Sequence, residues 1–305
     1  MATRAMEWSG ARRRGGGPSR GLANWLKTGV LLAGMTALVL VIGQAIGGYQ
    51  GLVYAAIFAI GMNVVSYWFS DRIALRAYRA VPVSAEQAPE LYEIVGRLSR
   101  RAGIPPPPIY LVQSPAPNAF ATGRNPEHAA VAVTTGILGI LDRRELEGVL
   151  AHELSHVRNR DTLVTTVAAS LAGLVVGVAS LLRWGLVLGG GRDEREGGAL
   201  YVLALAIVAP IAAMLLQFAV SRSREYGADG SGGALSGDPD ALADALEKLE
   251  TGARRLPDDR HPASASLWIV NPLSRRGLNH LFSTHPPTEE RVARLRAEGR
   301  GTAWR

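Results

Sequence analysis

Cysteine is absent from all 305 residues. No disulfide can form, and a metal site can be built only from histidine, aspartate and glutamate. The absence also fits a reducing compartment. Lysine is nearly absent too: Lys27 and Lys248 are the only lysines among 33 basic residues, so arginine carries almost all of the positive charge. Charged residues are only 19% of the chain against 48% hydrophobic ones, and the mean hydropathy is +0.11. Such a balance implies apolar blocks separated by polar ones. The net charge of +7 is not interleaved with aromatics in the manner of a nucleic-acid surface, so no nucleic-acid partner is expected. Much of it flanks apolar segments, where positive charge sets membrane topology.

Four apolar stretches approach the roughly 20 residues a bilayer-spanning helix needs. They are Thr28 to Ile46, Gly51 to Phe69, Leu163 to Leu182 and Ala199 to Phe218. Only Gly47, Gly48, Tyr49 and Gln50 separate the first two, which predicts a tight helical hairpin. The first stretch is too long for a signal peptide and lacks a small-residue cleavage site. Arg183 and Trp184 suit an interface at the end of the third, and Pro210 predicts a kink in the fourth. The third and fourth can also be read as buried helices of a soluble domain. Arg4, Arg12, Arg13, Arg14, Arg20 and Lys27 precede the first stretch, and Arg72, Arg76 and Arg79 follow the second. This asymmetry predicts a multi-pass membrane protein with both termini, and everything between the second and third stretches, in the cytoplasm.

The expected organisation is a basic tail over 1–27, disordered where arginine and glycine dominate through residue 22. A membrane hairpin follows over 28–69, then a first catalytic part over 70–162. A second membrane hairpin covers 163–220, and a second catalytic part covers 221–305. In the first catalytic part, Ser84 and Gln87 match a capping box ahead of the apolar stripe Leu91, Ile94, Val95 and Leu98, and Gly103 ends that helix. Ile109 to Val112 and Ala129 to Thr134 read as short strands. The second of these is either an edge strand able to receive an extended peptide or an interior strand. Asp142 and Glu145 cap a helix carrying Leu146, Val149 and Leu150. Helices are also expected over Asp240 to Leu249 and Thr288 to Arg296.

The chemistry is concentrated in His152-Glu153-Leu154-Ser155-His156, within the capped helix. At about 100° per residue, the two histidines lie about 40° apart around the axis and one turn apart along it, so both rings can grip one ion. Glu153 projects near that ion but not onto it, which suits a carboxylate base beside a metal-activated water. A third ligand is needed, and Glu225 is the candidate: His156 precedes the third apolar stretch by seven residues and Glu225 follows the fourth by seven. An antiparallel hairpin returns both to one membrane face. Glu225 can instead form a solvated pair with Arg222 or Arg224. Asp229, one turn after Glu225, can accept the outer N–H of a ligating histidine.

With these residues in view, the chain resembles the HtpX family of integral-membrane zinc metallopeptidases and, more distantly, the prenyl-protein (CAAX) proteases of the same superfamily. The resemblance runs roughly from Lys27 to Arg296. Besides His152 to His156 it rests on Asn118 to Gly123, Ser221 to Asp229, and His285-Pro286-Pro287-Thr288-Glu289-Glu290-Arg291. It implies an α+β, mostly helical fold: a gluzincin-type zinc metallopeptidase core with four transmembrane helices. It implies one Zn2+ per subunit held by His152, His156 and Glu225, with Glu153 as the catalytic base. His285 is then a candidate oxyanion partner or an orienting residue for the last helix, and Asn118 a candidate contact to peptide substrate. The implied activity is endoproteolysis of membrane or misfolded proteins in quality control, and the implied location is the cell membrane. A CAAX-type processing protease and a catalytically silent zinc-binding membrane scaffold are the alternatives.

Overall fold

The structure is a computed structural model that describes residues 18–168, 171, 222–255 and 286–301. These residues are mostly helical with one small sheet. Helix α1 runs Pro18–Trp68 and is broken at Gly47 and Gly48. Gly48 adopts φ 56°, ψ −141°, a conformation open to glycine and costly for other residues, and the chain reverses there. The two arms lie side by side: Asn63 Nδ2 donates to Thr36 Oγ1 at 2.8 Å across the pair. The expected hairpin is therefore present. The tail differs from expectation, because helix begins at Pro18 rather than after residue 22; proline at a first helical position has its φ already set.

The arm Gly47–Trp68 is long and apolar enough to cross a membrane, and Leu26–Val41 is a shorter apolar helix. Among the described residues, every exposed large hydrophobic except Val81 and Leu138 lies between Leu26 and Phe69. So concentrated an apolar surface is unfavourable in water and matches a lipid environment. The start of the third expected span is helical over 161–168. Its Leu163, Val164, Val167, Ala168 and Leu171 pack on Leu31, Met35 and Met62 of the hairpin. The rest of that span and all of the fourth lie outside the described residues.

Helix α2 (Ser70–Ala77) follows the hairpin, then β1 (Val81–Pro82) and α3 (Pro89–Ala102). The expected capping box at Ser84 and Gln87 forms only in part. Gln87 Oε1 accepts the Ser84 N–H at 2.9 Å, but the helix starts five residues later than Ser84, at Pro89, with no side-chain cap. Proline steers the residue before it out of helical geometry, and Ala88 indeed sits at φ −139°, ψ 59°.

Strands β2 (Ile109–Val112), β3 (Ala119–Thr122) and β4 (Ala130–Thr134) complete a sheet of order β1-β2-β4-β3. β4 is parallel to β2 and antiparallel to β3. It is thus interior, which removes the edge-strand reading of Ala129 to Thr134; the edge strands are β1 and β3. β4 is buried on both faces. Val131 and Val133 meet the main core with Leu146, Val149 and Leu150, while Ala130 and Ala132 meet Ala74, Leu75 and Phe120. Short α4 (Thr135–Ile140) leads to α5 (Arg143–Asn159). The later segments supply α6 (Arg222–Ser236), α7 (Pro239–Arg255) and α8 (Thr288–Gly299), the last two longer than their apolar patterns suggested.

Candidate metal centre

Helix α5 begins as its sequence dictates. Asp142 accepts the Glu145 N–H at 2.9 Å, and the Glu145 carboxylate accepts the Asp142 N–H at 2.9 Å, a complete capping box. The helix ends at Arg160 in left-handed geometry, φ 59°, which turns the chain toward the membrane hairpin. Helix α6 lies against α5 with its backbone nearly touching. A Cβ placed on Gly232 would fall 2.9 Å from His152 Cα, so only glycine permits this approach. The close packing carries Glu225, two turns earlier on α6, to the histidine face of α5.

His152 Nε2 and His156 Nε2 face each other at 3.2 Å. Glu225 lies 3.8 Å from the first and 3.7 Å from the second. One ligand atom from each of the three lies within 4.8 Å of the others. The edge of a tetrahedron around zinc is about 3.3 Å for ordinary zinc–nitrogen distances. Two ring nitrogens turned toward one another beside a buried carboxylate are poorly arranged as a hydrogen-bonded set and well arranged to share one cation. The donor set therefore fits the metal that the pattern implies.

Each ring is held from behind. His152 Nδ1 lies 2.9 Å from Asp229 Oδ1, a short contact whose alignment falls short of a good hydrogen bond. Asp229 is in turn gripped in a fork by Arg291, with Nε to Oδ2 at 2.8 Å and the terminal nitrogen to Oδ1 at 2.7 Å. Burial alone would raise the Asp229 pKa, but the Arg291 guanidinium outweighs it and holds the carboxyl well below the ordinary range. Arg291 itself is only 1% exposed. Burial likewise opposes its charge, and Asp229 overcomes that and keeps it firmly protonated. His156 Nδ1 lies 3.2 Å from Asp161 Oδ2. Asp161 reaches the ring because the chain leaves helical geometry at Arg160, between the two.

Removing one member of the Arg291–Asp229 pair leaves the other charge buried and uncompensated, which costs about 3–5 kcal/mol. Arg291→Met should therefore lower the thermal midpoint of the metal-free chain markedly, as read by its unfolding in detergent. A shift within error would show that water reaches Asp229.

Glu153 points toward β3 rather than into the triad of ligand atoms. Its Oε2 accepts the Ala121 N–H at 2.8 Å, so the carboxylate sits between α5 and the outer strand. Asn118 precedes that strand, is buried, and has its backbone committed to Thr134: its N–H donates to Thr134 Oγ1 and its carbonyl accepts the Thr134 N–H, both at 2.9 Å. His285 lies outside the described residues. The segment after it starts α8, which brings Arg291 to Asp229. Tyr226 packs under the Arg294 guanidinium, 3.8 Å from its ring centre. His128 is an exposed residue bonded to Asn125.

His156 carries the pH sensitivity. Burial lowers its pKa, but Glu225, Asp161 and Glu153 together raise it to about 9. A folded pKa above the unfolded one stabilises the metal-free chain below about pH 6.5 and loses that contribution as pH rises through about 9. An ion held by this ring would displace the proton, so apparent affinity should climb about tenfold per pH unit between about pH 7 and pH 9, then flatten. Calorimetry in buffers of different ionisation enthalpy should detect about one proton released per ion near pH 7.5. Zero release would return His156 to its ordinary range.

Comparison with known proteins gives a consistent picture. Residues 85–299 match the family described as Peptidase family M48. A "Protease HtpX homolog" of Desulforapulum autotrophicum is 53% identical over 278 residues, covering 90% of each chain. A protein of the same name from Syntrophobacter fumaroxidans is 54% identical over 276 residues, covering 89% of this chain and 98% of its own. A solved structure titled "Crystal Structure of S. mikatae Ste24p" is similar at 17% identity with a TM-score of 0.49, over 90% of this chain and 65% of that one.

Proposed function

This chain belongs to peptidase family M48 and is a metalloprotease of the membrane, and on that premise we propose a zinc-dependent endopeptidase that cleaves membrane or misfolded proteins in quality control. The observation that carries the reading is the meeting of His152, His156 and Glu225 from two helices far apart in the sequence. We assign these three as the zinc ligands. Bound there, zinc supplies Lewis acidity toward a peptide carbonyl and toward water.

The chain's own residues account for the remaining work. Glu153, held between α5 and β3, takes a proton from the attacking water and passes it to the leaving amine. Asp229, fixed by Arg291, orients His152, and Asp161 does the same for His156. A peptide laid along the free side of β3 passes close to the Glu153 carboxylate, with Asn118 at the head of that strand. His285 is assigned to stabilise the oxyanion. Support for that assignment is indirect: α8, which follows it directly, already reaches the centre through Arg291.

The proposed topology is multi-pass, with two hairpins flanking the catalytic parts and the catalytic face in the cytoplasm. Exposed Arg72, Arg76 and Arg79 directly after the first hairpin support this orientation.

Zinc content and casein hydrolysis of the purified full chain, with and without chelator, test the reading together. One zinc per chain is expected, with hydrolysis lost on chelation and restored by added zinc. A metal-free preparation that cannot be reloaded and does not cleave would sink it in favour of a scaffold, and cleavage indifferent to chelator would sink the metal-dependent mechanism.

A further inference from the structure

Several arginines of the catalytic part are paired. Arg97 bonds Glu147 at 2.6 Å, Arg144 bonds Asp238 at 2.6 Å and Asp244 at 2.8 Å, and Arg296 bonds Asp240 at 3.1 Å. Four arginines at the foot of the hairpin behave differently. Arg72, Arg76, Arg79 and Arg124 form no ion pair among the described residues, and the first three are exposed. A spacing of four places Arg72 and Arg76 on one side of α2, away from the buried Ala74 and Leu75, and Arg79 follows just past the helix end in left-handed geometry, φ 51°. Asp71 is the sole carboxylate on that helix.

The position of these arginines is set by aromatic residues that end the apolar arm. Trp68 and Phe69 are exposed, 53% and 41%, where the span meets the polar domain. Such residues favour the headgroup level of a bilayer. The Arg124 guanidinium lies 4.8 Å from the Trp68 ring centre and donates to the Trp68 carbonyl, and Arg72 lies 5.5 Å from the Phe69 ring centre. Arg72 and Arg124 are therefore held beside the aromatic end of the apolar arm. α2 cannot swing away freely, since Tyr78 packs on Phe120 of β3 with ring centres 4.7 Å apart.

We propose that Arg72 and Arg76 on α2 and Arg79 just past its end, with Arg124 after β3, form a binding site for the headgroups of anionic phospholipids. The proposal rests on the membrane reading above. Unpaired guanidiniums match phosphate oxygens in geometry and charge, and cytoplasmic-leaflet anionic lipid is attracted to such juxtamembrane clusters. The site also anchors β3, because Arg124 follows Thr122 by two residues and Tyr78 supports Phe120 from α2. Lipid contact would thus hold the strand beside Glu153 in a fixed posture relative to the bilayer.

The test uses the full chain in vesicles of phosphatidylcholine with about 30% phosphatidylglycerol, and spin-labelled lipids of each class to measure relative association. Wild type should prefer phosphatidylglycerol several-fold. The combined R72Q/R76Q/R79Q/R124Q variant should lose most of that preference, whereas R72K/R76K/R79K/R124K, which keeps the charge, should retain much of it. An unchanged preference in the glutamine variant, or none in wild type, overturns the proposal. Suppression of the preference by millimolar inorganic phosphate at constant ionic strength would assign the site to free phosphate and overturn the lipid assignment. Zinc content of the same samples, measured in parallel, separates failure of this site from failure of the enzymatic reading.

Discussion

Replacing Glu153 with glutamine is expected to lower peptide hydrolysis by about 10³-fold while leaving metal content at one ion per chain, since general acid–base groups contribute about 10²–10⁴-fold. The structure makes this substitution unusually clean. Glu153 is not among the three converging ligand atoms, so its charge is not needed to bind the ion. Its Oε2 accepts from the Ala121 N–H, and a glutamine carbonyl can accept the same bond. The link between α5 and β3 therefore survives, and the fold with it. What is lost is the ability to take a proton. Turnover within about threefold of wild type would remove Glu153 as the base, whereas loss of metal together with activity would make it a ligand. Metal analysis and casein hydrolysis on the same preparation distinguish these results.

Legibility from sequence followed the physical strength of each local signal. The catalytic helix was clear because its capping box, apolar stripe and ligand spacing all agree, and agreement between levels is what makes a segment predictable. The break at Gly47 and Gly48 was equally plain, flanked as it is by two long apolar runs. Helix α6 was visible only as a motif. Glycine costs about 0.8–1.0 kcal/mol per residue in a helix interior, and Gly227, Gly230, Gly232 and Gly233 together contradict a helical reading of that stretch. Tertiary packing wins there: the lack of a side chain at Gly232 lets α6 approach α5 closely enough for Glu225 to reach the histidines. Strand β3 was missed for a different reason. It is four residues long and buried throughout, so no polar alternation marks it. The mistaken start of α3 came from weighing Ser84 and Gln87 above Pro89, although proline constrains the backbone more strongly than a side-chain cap does.

The roles behind the ligands show where one-dimensional spacing runs out. Asp229 was legible as a partner for a histidine because it sits one turn from Glu225. Which histidine it serves depends on how α6 crosses α5, and the contact falls on His152. Arg291 finds its carboxylate 62 residues away. No local pattern encodes that pairing. Asp161 is the reverse case: it is only five residues from His156, yet it reaches the ring because the helix ends between them.

Glu225→Ala should reduce metal affinity by well over the roughly 100-fold that loss of an outer partner causes, and should abolish chelator-sensitive hydrolysis. Two imidazoles would remain, which is one ligand short of a catalytic zinc site. The variant also removes the first of the carboxylates that raise the His156 pKa against its burial, so proton release on any residual binding should diminish. Collapse of the fold is not expected, because the contact that seats α6 is made at Gly232, two turns away. Asp161→Asn, behind His156, provides the calibration: it leaves three ligands in place and should weaken binding by about 10–100-fold. The informative quantity is thus the gap between the two variants, read by competition with a metal-sensitive dye. Equal losses would place Glu225 in an outer role. Stoichiometric zinc retained by Glu225→Ala would mean that the third ligand comes from elsewhere in the chain, and the convergence of α5 and α6 would need a different explanation.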